Sequence, residues 1–121
     1  MEQELTLVTA PGSLEGRLGE TLRAALEGRT VRFQREGESL ENRRVLFAFS
    51  LPENGVSAGL WGFLGWLRDH RGCLCGSVGG VVIDGAGDLY TKAAGRELIL
   101  AASMAGCTFP GRPLTEATGG L

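Results

Sequence analysis

The chain has 121 residues, 43% of them hydrophobic and 21% charged, with a formal net charge of −2. A single domain of this size buries about two-thirds of the surface its unfolded form exposes, so neither wholesale disorder nor dependence on a disulfide or metal staple is expected. The acidic balance supplies no positive field to gather nucleic acid, and no window approaches the roughly 18 to 20 consecutive apolar residues of a membrane span.

The N-terminus, Met1-Glu2-Gln3-Glu4, is polar and acidic, unlike a secretory signal, which makes a cytoplasmic protein the expectation. Leu5 to Thr9 is a β-rich run closed by the turn signal Ala10-Pro11-Gly12. Ser13 then suits a helix N-cap, and Leu14, Leu18, Leu22, Ala25 and Leu26 recur at helical spacing until Gly28. Thr30 to Arg35 alternates as a half-wet edge strand. Glu36 to Arg44 is polar and too short for a full helix.

Val45 to Phe49 is continuously apolar and reads as a central buried strand, ending at Ser50-Leu51-Pro52. Leu60, Trp61, Leu64 and Leu67 give the next helix, which stops at Gly72. Val78 to Ile83 is a second buried strand, running into Asp84-Gly85-Ala86-Gly87-Asp88. Tyr90 to Ala105 forms a third helix with Gly106 as its C-cap, and a last short strand is expected around Cys107 to Phe109. Strand, helix, strand, strand, helix, strand, helix, strand implies one α/β domain over residues 1–121. Its five-stranded parallel sheet lies between helices in a three-layer sandwich, and the second crossover helix is missing.

In open sheets of this kind ligands bind beyond the carboxyl ends of the strands, where strand order reverses. Three small-residue turns arrive there: Ala10-Pro11-Gly12-Ser13, Pro52-Glu53-Asn54-Gly55 and Gly85-Ala86-Gly87. They are the candidate binding residues, since small residues let backbone N–H groups approach a phosphate or a flat ring. No catalytic side chain and no metal set is singled out. Three cysteines and the lone His70 fit no usual metal spacing, and Cys73, Cys75 and Cys107 read as reduced thiols. Trp61 and Trp66 follow the apolar face and read as core or interface residues, His70 as a complement to a helix C-terminus, and Asp84 and Asp88 as turn and cap residues.

Residues 51–69, LPENGVSAGLWGFLGWLRD, resemble the signature of the NADPH-dependent FMN reductase family. There a Pro-Glu-Tyr-Asn loop leads into a helix with a Leu-Lys-Asn-x-x-Asp-Trp-Leu pattern; Pro52-Glu53 and Asn54-Gly55 match the loop, and Leu60, Trp66 and Leu67 the helix. The likeness extends loosely over most of the chain. It implies a flavodoxin-like fold, noncovalent FMN, NAD(P)H as co-substrate and a homodimer or higher oligomer. Gly12 and Ser13 would lie on the phosphate, with Pro52 to Gly55 and Gly85 to Gly87 along the flavin ring. Leu18 also stands where the pattern has its second serine, and three departures (Glu15 for the loop arginine, no loop tyrosine, no second crossover helix) motivate a second reading, a relative without cofactor that serves as a binding or assembly module. A third reading uses Cys73 and Cys75 as a redox pair. The short connection Glu36 to Arg44 is expected to leave one sheet face thinly covered.

Overall fold

A computed structural model of the chain describes residues 4–9, 17–35, 38–50, 58–85, 88–109 and 114–118. Its elements, in chain order, are β1 (Leu5–Thr9), α1 (Arg17–Ala25), β2 (Val31–Phe33), β3 (Arg44–Ser50), α2 (Ala58–Asp69), β4 (Val78–Gly85), α3 (Asp88–Met104) and β5 (Leu114–Thr118). The strands form one sheet in the order β2-β1-β3-β4-β5, parallel throughout. This is the element sequence that the periodicities imply. The order is the flavodoxin-like one, in which the chain steps from β1 one way to β2 and thereafter the other way.

Alternation along the central strands sends side chains to two cores. Val45, Phe47 and Phe49 of β3, with Val81 and Ile83 of β4, pack under Leu60, Leu64 and Leu67 of α2 and Leu98, Ala101 and Ala102 of α3. On the other face Leu7 and Ala48 meet Leu18 and Leu22 of α1. Strands buried on both sides read as unbroken apolar runs, which is why β3 and β4 stand out in the sequence. Glycines in the left-handed region follow each helix: Gly28 at φ 83°, Gly72 at 89° and Gly106 at 109°. At Gly106 space is also decisive, because a Cβ there would sit 2.8 Å from the Cys75 backbone.

Several expectations need correction. The last strand is β5, not Cys107 to Phe109. Thr108 makes only an isolated bridge to Val78, whereas β5 pairs with Val81 to Gly85. Pro110 follows directly and has no N–H for a ladder. Trp61 is not core: it is 53% exposed, while Trp66 is half-buried against Phe63 and His70. Gly62 and Gly65 of α2 face open space, since a Cβ on either would meet nothing within 4 Å.

The connection from β2 to β3 also differs from the expectation of a thin cover. Leu40 is 0% exposed and enters the α2–α3 core, where Val8 and Thr6 of β1 are buried too. The Leu40 N–H donates to the Cys73 carbonyl at 2.9 Å, and the Asn42 N–H to the Cys75 carbonyl at 2.9 Å. Ser77 completes the seam: its hydroxyl accepts from the Arg43 N–H at 3.0 Å and donates to the Leu40 carbonyl. Upstream, Glu38 takes the Arg35 N–H at 3.2 Å and ion-pairs with Arg32 and Arg43. That backbone donor and the two guanidiniums hold its carboxyl below the ordinary value. One leucine and a set of polar ties thus stand where a crossover helix would lie.

Candidate functional site

Because all strands are parallel, β1, β3 and β4 end on one edge of the sheet, at Thr9, Ser50 and Gly85. Segments 10–16, 51–57 and 86–87 therefore start from three adjacent strands. The boundary between β1 and β3 is where the strand order reverses, the position at which open α/β sheets bind ligands. Of the sequence candidates, Gly85 is placed at the end of β4, opposite Thr118 of β5. Ala10, Pro11, Gly12, Ser13, Pro52, Glu53, Asn54, Gly55, Ala86 and Gly87 lie outside the described residues, as does Glu15.

Sequence reasoning passed over the strand ends themselves. Register places Thr9 opposite Ala48, and Ser50, two residues on, opposite Asp84. With a side-chain period of two, Thr9, Ser50 and Asp84 share the α1 face at this rim. Asp84, read from the sequence as a turn residue, is instead 7% exposed within β4. Ser50 and Asp84 both engage partners. Thr9 does not: its Oγ1 is buried and has no hydrogen-bond partner among the described residues. The only sequence signal for this was a hydroxyl as the last residue of an apolar strand, directly before Ala10-Pro11-Gly12.

A buried, unpaired hydroxyl is destabilising by about 1–3 kcal/mol, so its place at the switch point calls for a reason. A hydroxyl can donate to a phosphate or carbonyl oxygen entering from the rim. The Asp84 carboxylate stands two strands away, about 10 Å at the usual strand spacing, beyond direct contact with an anion at Thr9. The residues that are described therefore fit a phosphorylated ligand at the end of β1.

Elsewhere the candidates resolve into structure. The His70 Nδ1–H donates to the Trp66 carbonyl at 2.8 Å, closing the end of α2. Cys73, Cys75 and Cys107 are all free thiols. Burial pushes the Cys73 thiol above its ordinary value and lifts Cys107 to about 11, the opposite of what a nucleophilic thiol needs. Among the described residues, no group of three or more His, Cys, Asp or Glu side chains is placed to hold a metal ion, and no helix is long and apolar enough to cross a membrane.

Fold and rim together define a flavodoxin-like α/β domain. A solved short-chain flavodoxin, described as associated with a non-canonical PDU bacterial microcompartment, superposes with a TM-score of 0.65 at 15% sequence identity. The match covers 98% of this chain and 85% of that one. No protein-family model and no curated protein sequence matches the chain.

Proposed function

We propose that this domain is a flavoprotein that holds FMN at the rim formed by the ends of β1, β3 and β4. The observation that carries the reading is the unpaired, buried Thr9 Oγ1 at the strand-order switch. Flavodoxin-like topology supports it, because the strands that precede three small-residue segments end on that same edge. Thr9 would donate its hydroxyl hydrogen to the phosphate end of the ligand, with Gly12 and Ser13 supplying backbone N–H groups. Pro52 to Gly55 and Gly85 to Gly87 would flank the ring, admitting it closely and keeping water from one side. Bound FMN supplies the electron or hydride transfer, and the chain contributes position and hydrogen bonds. Hydride entry from NAD(P)H, the reductase form of this reading, needs no acid–base side chain. A cytoplasmic setting belongs to the proposal, in keeping with three free thiols. So does a homodimer.

The test is the visible absorbance spectrum of freshly purified protein, followed by FMN titration of the apoprotein read by tryptophan quenching. Flavin bands, or saturation in the micromolar range, are expected. A colourless protein with no quenching up to about 100 μM FMN ends the reading and leaves the cofactor-free binding module. NADPH consumption by the FMN-loaded protein separates a reductase from a simple electron carrier.

A further inference from the structure

α2 and α3 run against the strands, so their C-terminal ends lie at the sheet edge where the strands begin, opposite the Thr9–Ser50–Asp84 rim. Between those ends is a groove of about 230 Å³. Leu67 and Ala101, both buried, form its floor. Leu100 and Met104 form one wall, and they are 57% and 63% exposed. Four residues apart on one helix, they project from the same face. Arg68 and Arg71 form the facing wall. Arg68 pairs with Glu97 at 3.5 Å across the groove, and both side chains are about half exposed. Among the described residues Arg71 makes no ion pair.

We infer that this groove docks an acidic amphipathic helix of a partner protein. Its apolar stripe would lie on Leu100 and Met104, and its carboxylates would meet Arg71 and Arg68. The chemistry of the groove selects that occupant. The groove is smaller than the roughly 300–1,000 Å³ of small-molecule pockets, and suits an anchoring side chain instead. Exposed leucine and methionine at helical spacing give an adaptable apolar strip, the usual seat of a helix in a groove. Two cations and one anion line the groove, and that anion is already shared with Arg68, so the lining itself carries one net positive charge on a chain whose net charge is −2. The eight residues of β4 separate the groove from the opposite rim by about 25 Å. A partner held here leaves the cofactor edge open, and the inference stands whether or not flavin binds.

The test titrates the full, isotope-labelled chain with two synthetic helical peptides of about 15 residues. Both carry the same leucine–alanine stripe; one has glutamate and the other lysine at the polar positions. Amide shifts confined to residues 67–71 and 97–104 are expected with the glutamate peptide, with affinity at least ~10-fold weaker for the lysine peptide. Arg71→Glu and Met104→Glu each weaken glutamate-peptide binding about 10-fold, and circular dichroism reports whether each variant is folded. Arg71→Gln, a milder change on an exposed residue, serves should Arg71→Glu misfold. Equal binding of both peptides, shifts elsewhere, or no binding at about 1 mM overturns the inference. So does concentration-dependent shifting of the same amides without peptide, which assigns the face to a second copy. Flotation with phosphatidylserine vesicles in the absence of peptide binding assigns it to a lipid surface and likewise overturns it.

Discussion

Replacing Thr9 by valine separates a structural hydroxyl from a ligand-binding one. The two side chains have the same shape and β-branching, so the change removes one buried oxygen and little else. That oxygen has no partner among the described residues, and its burial is destabilising by about 1–3 kcal/mol. Thr9→Val should therefore stabilise the apoprotein by about 1 kcal/mol, or about 4 °C in Tm for a chain of 121 residues. With FMN the sign turns. A hydrogen bond to a charged phosphate oxygen is worth about 1.5–3 kcal/mol, so the variant should bind FMN at least ~10-fold more weakly. At FMN near 100 times the wild-type Kd, ligand adds about 2.7 kcal/mol to the wild type and about 1.4 to the variant, which erases the apo advantage. Urea unfolding with and without FMN, beside a direct titration, measures both halves. Loss of stability in the apo variant would show that the hydroxyl has a protein partner. Unchanged affinity would show that it does not meet the ligand. Either result refutes the argument.

The remaining predictions concern the scaffold. Leu40→Ala should lose about 3 kcal/mol and about 12 °C in Tm by thermal unfolding, because Leu40 is wholly buried; a loss below about 1 kcal/mol would mean the connection is not part of the core. Ser77→Ala leaves the Arg43 N–H and the Leu40 carbonyl without their shared partner, and about 2 kcal/mol should go in urea unfolding. Gly62→Ala should stabilise α2 by up to about 1 kcal/mol, since the new methyl meets nothing and the helix gains propensity. The Cys107 thiol, raised from 9.0 to about 11, stays protonated in the fold while the unfolded chain ionises. Stability is therefore complete below about pH 9 and falls towards pH 11; Cys107→Ala should flatten that limb of the urea-midpoint profile.

The fold was legible where one pattern governed a whole element. The unbroken apolar runs of β3 and β4 could be buried only from both sides, and the leucine spacing of α1 and α2 has no strand reading. What escaped detection depended on contacts between distant segments. Leu40 is one leucine in a polar stretch, and only its complete burial in the cluster that also holds Leu74 and Val45 identifies it as core. β5 was misplaced because Cys107 to Phe109 has the same local character as a strand, and the choice between it and Leu114–Thr118 was made by pairing with β4. Trp61 was read by its spacing as core or interface, yet it sits one residue past Leu60, about 100° around α2, and lies outside the core. The candidate site was legible as an edge: topology follows from element order, and order alone says where the turns begin. It was not legible as Thr9, since an unpaired hydroxyl is a property of its surroundings.

The shortened β2–β3 connection shifts the cover of the sheet, and the shift can be followed strand by strand. A crossover helix would cover β1 on the face shared with α2 and α3. Without it, Leu40 fills that place while the Ser77 and Glu38 ties hold the backbone polar groups, so Thr6 and Val8 are dry. The other face carries only the nine residues of α1 among its described helices. There Leu46, Gly80 and Val82 are half-buried and Val78 is exposed, although their neighbours Val45, Phe47 and Val81 on the opposite face are fully covered. The thinner cover therefore lies on the face of α1, over β3 and β4, rather than over β1. Thr9, Ser50 and Asp84 end the strands on that same face. The least covered positions of that face, Val78, Gly80 and Leu46, lie towards the strand starts, and the wholly buried Ala48 stands between them and the Thr9–Ser50–Asp84 rim.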